Sequence, residues 1–581
     1  MTWPAWAMTH FANLFFSGVV NVPHGANLLS NTSGTLVGVV LSPVTWLFGP
    51  VTATNVALTL APAVSAWGLW LAVRPFVSWK PAAIPAALVF GYSAALVTSL
   101  AFGHVSVTVL AVPPLLFTTL YEILVRQEKS APRDGLHLAA LVVVQFLISP
   151  EVLVMCAFFA VIGIAACAAV GWRKLRARLA HAGSALLIGT SLALPLLAYP
   201  AWYGLAGSQS VSGVLFAIAP LTGVPFSGYL LPGHFEDFAN SYVRFVGYLG
   251  RNGPPPNYLG LGVEVGFVAS LVVAHRRRIV WLLLSLTAVT MWISLGAYLF
   301  GGPPSWERIW LPWRYLSNLS VLKEILPAQF APFLTLFVAF ALAIGLDALY
   351  LRFTSWAKWT PVRCNVVSGL AAASLTVAAL VPVFVTFDMP FTVVSAKVPL
   401  WMAREALQLP GGTVLLTVPV AVSGSPAPML WQAVDGMHFR LAGAAMKTPN
   451  ASGGPVGQGE PGSARRILSD LSVFGTPQPL GTIAQVNAVR RALREWRVNE
   501  VVIDGVSRDP TYASGFLTMV FGSVPSYVDS ALVWKVPARG LSLPPAIGAS
   551  LYLCRLHAGS AVQRHHPLYM ARCVLTAAEH H

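Results

Sequence analysis

The sequence predicts an all-helical polytopic membrane domain followed by an α/β domain outside the membrane. Three observations lead there. Only 10% of the 581 residues are charged, while 56% are hydrophobic. A soluble domain carries about 25% charged residues and could not cover its surface with so few. Lys and Arg in the first two-thirds of the chain cluster in short loops between apolar runs, on alternate loops. From Phe387 onward acids recur, apolar runs shorten and turn residues enter. This composition excludes a cytosolic enzyme and a disordered chain. The net charge of +15 would suit a nucleic acid. Charge confined to alternate loops is instead the positive-inside pattern, so no nucleic-acid partner is expected. The five cysteines include no CxxC pair and signal neither a zinc site nor a disulfide framework.

Residues 1–50 read as an outer-interface loop with juxtamembrane helices, rich in Trp, Pro, Asn and Gly. The apolar run Val37–Phe48 ends in Gly49-Pro50. As a crossing helix, 35–50 would fall short of the ~20 residues a span needs, and Pro43 would interrupt it. From Met1 to Val73 there is no Asp, Glu, Lys or Arg, hence no charged n-region of a signal peptide. The loop charges nevertheless put residues 1–50 outside. The expectation is a further transmembrane helix upstream, with an acid in the segment joining it to Trp3.

The membrane domain, 51–387, holds about ten apolar segments: 51–73, 81–100, 105–125, 135–149, 151–171, 182–200, 256–275, 279–299, 330–351 and 365–386. Loops of one parity carry Arg74 and Lys80; Arg126, Lys129 and Arg133; Arg173, Lys174, Arg176 and Arg178; Arg276, Arg277 and Arg278; and Arg352, Lys358 and Arg363. These are read as cytoplasmic. The opposite loops are Ala101–His104, Ser149–Glu151, Ala201–Pro255 and Phe300–Gln329, and the two short ones contain no Lys or Arg.

The unit 388–537 is read as an extracytoplasmic α/β domain. Thr413–Val418 and Glu500–Ile503 look like buried strands, and Ile483–Trp496 like an amphipathic surface helix. Ser452–Pro461 reads as a flexible loop. The tail 538–581, with Cys554, Cys573 and clustered His, shows no periodic pattern.

Carboxylates beside hydrocarbon are costly and are functional candidates by default. Glu151 sits in the turn Ser149-Pro150-Glu151 at the outer face. It is a candidate acid/base or metal-binding group, or simply the acid that suits a helix N-terminus. Glu264, within Leu259–Val268, is a second candidate, or a buried partner to a cation or backbone group. His104, at a tight outer turn after Gly103, suits proton transfer or phosphate binding, or satisfies backbone groups alone. The loop Phe300–Gln329 mixes Trp306, Trp310 and Trp313 with Arg308 and Arg314, candidates for a lipid or sugar phosphate; its bland reading is an aromatic belt with snorkelling cations. Glu236 and Asp237 lie in the other long loop. No Walker A, HExxH or GxSxG motif is present.

Val22-Pro23-His24-Gly25-Ala26-Asn27-Leu28-Leu29, Leu41-Ser42-Pro43-Val44-Thr45, Phe48-Gly49-Pro50 and Asn55 resemble the first outer loop of bacterial GT-C-type membrane glycosyltransferases with a large C-terminal outer domain. Phe102-Gly103-His104, the run Gln145 to Glu151, and Leu326-Pro327 before a long apolar helix resemble the same group. The resemblance covers about residues 3–537. It implies a GT-C-like membrane fold, a polyprenyl-phosphate sugar donor, and transfer to a cell-envelope glycan, lipid or protein outside the membrane. It also implies a catalytic Asp or Glu in the first outer loop, often helped by a divalent cation such as Mg or Mn. The chain departs from that pattern twice. Its first outer loop has no acid, the first being Glu122, and Gln329 stands in Pro327-Ala328-Gln329-Phe330 where such proteins often carry Arg.

The function expected is therefore sugar transfer from a lipid-phosphate donor in the cell membrane. Glu151, then His104, then Glu264 are the catalytic candidates, and Arg308 and Arg314 the phosphate ligands. Two other classes stay open. A lipid-linked sugar transporter predicts inverted repeats and midplane acids; a non-catalytic envelope-assembly protein fits the acid-free first loop.

Overall fold

The computed structural model describes residues 1–31, 34–211, 223–224, 226–229, 258–299, 309, 311–319, 322, 325–356, 360–386, 395–422, 426–450, 454–456, 462–473, 482–504, 510–537 and 573. The chain opens with α1 (Thr2–Thr9), a small hairpin of β1 (Phe16–Ser17) and β2 (Ala26–Asn27), and α2 (Thr35–Val40). Next comes α3 (Ser42–Val73), broken at Gly49, where φ is +84°. Only glycine enters that region freely, and Pro50 then starts the long apolar run.

The membrane domain continues through α4 (Ala83–Gly91), α5 (Ala94–Ala101), α6 (Val105–Thr108), α7 (Val112–Tyr121), α8 (Ala131–Ile148), α9 (Pro150–Ala177) and α10 (Leu179–Ala206). After these come α11 (Leu261–Val273), α12 (Arg278–Ser294), the short α13 (Trp313–Leu316), α14 (Ala331–Thr354) and α15 (Pro361–Thr386). Among the described residues, seven stretches are long and apolar enough to cross a membrane: Ser42–Phe76, Lys80–Ala101, Ala131–Ile148, Pro150–Ala169, Leu179–Ala206, Pro327–Thr354 and Pro361–Val381. The apolar α11 and α12 are shorter, at 13 and 17 residues. The expected crossing at 105–125 is not one helix. Helix α6 stops at Thr108, and α7 restarts at Val112 ahead of Pro113 and Pro114. Prolines have no amide N–H to donate and are at home only in a helix's first turn, so this pair marks a start and not an interior.

Helix α14 is the central post. Its side chains from Phe333 through Asp347 are buried on every face, as expected of a helix apolar all round. The crossing stretch of α14 is 78% buried, whereas that of α9 is 17% buried. Leu187, Leu194 and Leu196 of α10 point outward, towards lipid. Close approach replaces hydrophobic drive between helices here. Gly262, Gly266 and Ser270 of α11 form a stripe of small residues against α14 and α15. A Cβ on Gly345 of α14 would overlap the Ser270 side chain and lie 2.7 Å from its Cα. Gly135 of α8 meets α10 in the same way, 2.7 Å from the Ala185 carbonyl.

The basic loops meet at one end of the helix layer. Arg126 donates to the Pro75 carbonyl at 2.8 Å, and Gln127 to that of Arg178 at 3.0 Å. Fully buried Asp347 binds them further: Oδ1 accepts from the amides of Ser78 and Trp79 at 2.8 Å each, and Oδ2 from Arg277 at 2.8 Å. Trp79 Nε1 donates to Asn365 of α15 at 3.1 Å. The N-terminal loop sits at the other end of α10, where Asn13 donates to the Tyr199 hydroxyl and Asn27 to the Tyr203 carbonyl.

The C-terminal domain comprises α16 (Leu400–Arg404), β3 (Val414–Val418), α17 (Ala427–Val434), β4 (Arg440–Leu441), β5 (Thr448–Pro449), β6 (Pro455–Val456) and α18 (Ala464–Val473). It continues with α19 (Ile483–Glu495), β7 (Glu500–Ile503), α20 (Pro510–Phe521), β8 (Ser526–Val528) and β9 (Ala531–Lys535). Five strands form a mixed sheet in the order β4-β3-β7-β9-β8. The first three are parallel, with Leu415 opposite Glu500 and Val418 opposite Ile503, while β9 is antiparallel to β7 and β8. Alternation along the strands builds two cores. Leu416, Val418 and Val501 face α18, α19 and α20; Leu415 and Val502 face Trp401 and Trp431. Both faces are covered, which is why β3 and β7 read as unbroken apolar runs.

Two expectations need correction here. Pro455–Val456, inside the stretch read as a loop, pairs with Thr448–Pro449 as a short hairpin. Cys573 is disulfide-bonded and packs against the sheet's helical core, although cysteine spacing gave no such signal. The rest of the tail, with its clustered His, lies outside the described residues.

Candidate functional site

A cavity lies inside the helix layer, between α7, α8, α9, α10, α12 and α14. Its volume is about 250 Å³. Helix α9 contributes Leu153, Cys156, Ala157, Ala160, Gly163 and Cys167, a stripe at three- and four-residue spacing along one face. From Leu153 to Cys167 the helix rises roughly 21 Å at about 1.5 Å per residue, two-thirds of a hydrocarbon core of about 30 Å. The small side chains create the space, and a Cβ placed on Gly163 would meet nothing within 4 Å. Polar side-chain atoms enter the lining only from Tyr121, Cys156 and Cys167. A cavity with so apolar a lining offers water few partners and suits apolar contents.

The outer end of α9 holds the first of the sequence candidates. Glu151 lies in the first turn of α9, half-buried, where its charge suits the helix dipole. It is one turn above Met155 and on the same face; Met155 is buried in the core that holds Trp313 and Phe330. Glu151 therefore stands on the side of α9 turned to the bundle interior, away from the cavity stripe. Phe330 stacks edge-on against Trp313 at 5.4 Å and Phe159 at 5.8 Å. Next to Trp313, half-buried Arg314 donates to the Tyr298 hydroxyl at 3.4 Å and lies over its ring. Two buried polar atoms in this region have no hydrogen-bond partner: Trp313 Nε1 and Gln145 Oε1. Unmatched buried polar atoms call for a partner the protein itself does not supply.

The other candidates sit elsewhere. Glu264, in the first turn of α11, is half-buried, and its Oε1 is shut from solvent without a hydrogen-bond partner. Beside it, a cavity of about 10 Å³ is lined by Tyr92, Ser93, Tyr258, Thr335, Val263 and Val383. It opens where the crossing helix breaks between α4 and α5, with Ser93 capping α5. His104 is exposed at the turn before α6, its amide bonded to the Ser99 carbonyl at 3.0 Å. Neither cavity is lined by Glu151, His104 or Glu264. Arg308 lies outside the described residues, as do Glu236, Asp237 and Trp306. Among the described residues no group of three His, Cys, Asp or Glu side chains is placed to hold a metal ion. The described donor set thus does not fit the divalent cation that the resemblance implies.

Sequence reading named Trp313 only as part of an aromatic loop, and Gln145 only as the start of a run it singled out. It missed Asp347 altogether.

No protein-family model matches the chain, and no curated protein matches it. Among solved structures the chain is similar to the arabinofuranosyltransferase AftD from Mycobacteria, at 13% identity and a TM-score of 0.46, over 92% of this chain and 39% of that one. It is also similar to the Archaeoglobus fulgidus oligosaccharyltransferase tethered with an acceptor peptide, at 12% identity and a TM-score of 0.43, over 87% and 64% of the two chains. The same archaeal protein, AglB, solved with an inhibitory peptide and a dolichol-phosphate, gives 12% identity and a TM-score of 0.39. A further crystal form of it holds Zn and sulfate. The chain thus spans about two-fifths of the length of the first and under two-thirds of the second.

Proposed function

We propose that this protein is a membrane glycosyltransferase that takes a sugar from a lipid-phosphate donor and passes it to a cell-envelope acceptor on the face that carries the outer domain. The observation that carries this is the apolar groove along α9, which suits the hydrocarbon tail of such a donor. The motifs of the first outer loop point the same way. The basic loops share one end of the helix layer and the outer domain joins the N-terminal loop at the other; by the positive-inside rule the second face is extracytoplasmic. A disulfide at Cys573 suits an oxidising compartment.

In this reading Glu151 takes the proton from the acceptor hydroxyl, whose oxygen bonds to the sugar's anomeric carbon as the bond to the lipid phosphate breaks. General-base catalysis of this kind contributes about 10²–10⁴-fold. Arg314, with Arg308, stabilises the departing phosphate. Glu264 and His104 are the alternative acid/base groups.

The test is transfer of labelled sugar from a prenyl-phosphate sugar to membrane acceptors. Gly163→Leu fills the groove and should lower transfer at least tenfold. Val161→Leu, two residues away on a surface 67% exposed to lipid, should leave it unchanged. Full transfer by the Gly163 variant removes the groove from the donor site. Absence of transfer by the unaltered chain, with binding intact, supports the non-catalytic assembly reading.

A further inference from the structure

Among the described residues, the seam between the N-terminal loop and the outer domain pairs neither Arg440 nor Arg465 with an acid. Residues 1–73 carry no Asp, Glu, Lys or Arg. The outer domain grips this loop by hydrogen bonds. Gln432 donates to the Val19 carbonyl at 2.9 Å, the Leu441 amide to the same carbonyl at 2.8 Å, and the Asn21 amide to the Gly443 carbonyl at 2.9 Å. Asn31 and Lys447 exchange bonds, the Lys447 amide donating to Asn31 Oδ1 at 2.8 Å and Asn31 Nδ2 to the Lys447 carbonyl at 3.2 Å.

Two arginines reach into the seam. Arg440 donates to the Gly18 carbonyl at 2.9 Å. Arg465, in the first turn of α18, donates to Thr448 Oγ1 at 2.9 Å and to Asn21 Oδ1. All three acceptors are neutral. The outer domain's described ion pairs join Arg404 to Asp529 and Arg466 to Asp470, and none includes Arg440 or Arg465. Burial draws the Arg465 pKa below its ordinary value, with no acid opposing the shift. A desolvated cation on neutral partners alone is costly, and a guanidinium has five donors of which these bonds use only part.

We propose that this seam is a phosphate-binding site, with Arg465 as its principal ligand and Arg440 as its second charge. A phosphate monoester or diphosphate brings about two negative charges, matching the two guanidiniums, and its oxygens fit the planar fork. The phosphate is that of a lipid-linked molecule or of a soluble one. The site does not depend on the transferase reading, since neither arginine belongs to the residues assigned there.

The experiment measures the melting temperature of the full-length protein in detergent at constant ionic strength, with inorganic pyrophosphate replacing chloride. Pyrophosphate should stabilise the unaltered chain. Arg465→Gln should weaken the response about tenfold or more in midpoint concentration, the usual scale for one charge-assisted pair, and Arg465→Lys should fall between. Arg404→Gln, which alters an exposed cation elsewhere on the domain, should respond normally. If Arg465→Gln does not fold, Asn21→Asp decides the matter, because it sets a carboxylate against the guanidinium. That variant should melt higher without phosphate and lose the response. A prenyl phosphate in the micelles, compared with the prenyl alcohol, identifies the source: a midpoint at least tenfold below that of pyrophosphate makes it the lipid, a similar or higher one the soluble ion. No pyrophosphate response, or an equal response in Arg465→Gln or Asn21→Asp, overturns the site.

Discussion

The Asp347–Arg277 pair makes an asymmetric prediction. Asp347 is fully buried, while the Arg277 side chain keeps 31% of its surface. Asp347 also accepts the amides of Ser78 and Trp79. Arg277→Gln leaves a buried carboxylate with its two amide donors and no counter-charge. Breaking a buried pair in this way costs about 3–5 kcal/mol. Asp347→Asn is gentler. The amide oxygen can still accept from Ser78 and Trp79, and the freed guanidinium is close enough to the surface to reach water, so the loss is nearer the roughly 1.5–3 kcal/mol of one charged hydrogen bond. The double variant Arg277→Gln, Asp347→Asn strands no charge and should lie close to Asp347→Asn alone. The assay is thermal unfolding in detergent, where each kcal/mol moves the midpoint by roughly 2 °C in a domain of this size. Arg277→Gln should therefore fall by about 6–10 °C, with Asp347→Asn and the double variant falling less. A double variant worse than Arg277→Gln alone, or equal losses in the two single variants, would refute the account of stranded charge.

Other consequences follow from the same geometry. Gly345→Ala should lower the midpoint by several degrees, because the new methyl must displace Ser270 and its helix; overpacking of this kind costs about 1–3 kcal/mol, and pairing it with Ser270→Gly should recover part of the loss. Thr482→Ala removes the oxygen that accepts from the Gln485 amide and breaks the capping box of α19, at a cost of about 1 kcal/mol in the outer domain, visible in proteolysis of that domain. Burial pushes the Asp435 carboxyl up from 3.8 to about 6, against an opposing pull from His438, and both its oxygens lack hydrogen-bond partners. A raised native pKa stabilises below the unfolded value and is lost as pH rises through about 6. Asp435→Asn should therefore raise the midpoint at pH near 7.5, with a stability gain well below the roughly 3 kcal/mol of the full shift because solvent screens a partly buried group, and with the gain gone near pH 4; a gain that persists in acid would refute the linkage.

The bilayer imposes a coarse pattern that one sequence can carry, and the alternation of Arg and Lys clusters gave the end at which loops meet. The strands Val414–Val418 and Glu500–Ile503 and the helix Ile483–Glu495 were equally legible, because each repeats its period over several residues. The break before Val112 was legible too, in Pro113-Pro114, but hydropathy summed over a window hides it. The groove was not legible. Leu153, Cys156, Ala160, Gly163 and Cys167 form an apolar stripe like any in a lipid-facing helix; only the neighbours across the gap, such as Phe117 and Phe337, turn it into a cavity. Arg465 was hidden for a related reason. In sequence it is one more cation at the start of an amphipathic helix, and its lack of a counter-charge exists only because an acid-free loop more than 400 residues away closes over it.

Helix α10 ties these parts together as a ruler. It runs 28 residues from Leu179 to Ala206, about 42 Å at 1.5 Å per residue, which exceeds a hydrocarbon core of about 30 Å. The Arg178 carbonyl at its start receives Gln127 from the neighbouring basic loop, and Tyr203 near its end receives Asn27 from the loop that the outer domain grips. One rigid element therefore fixes the basic loops and the outer domain on opposite faces. The groove along α9 runs between those faces, and Leu153 brings its upper end to within a turn of Glu151. A lipid lying in the groove with its phosphate at the outer face would present that phosphate at the level of Glu151. Along α9, Glu151 thus lies one short step beyond the groove's upper end without lining it, and neither His104 nor Glu264 lines that groove.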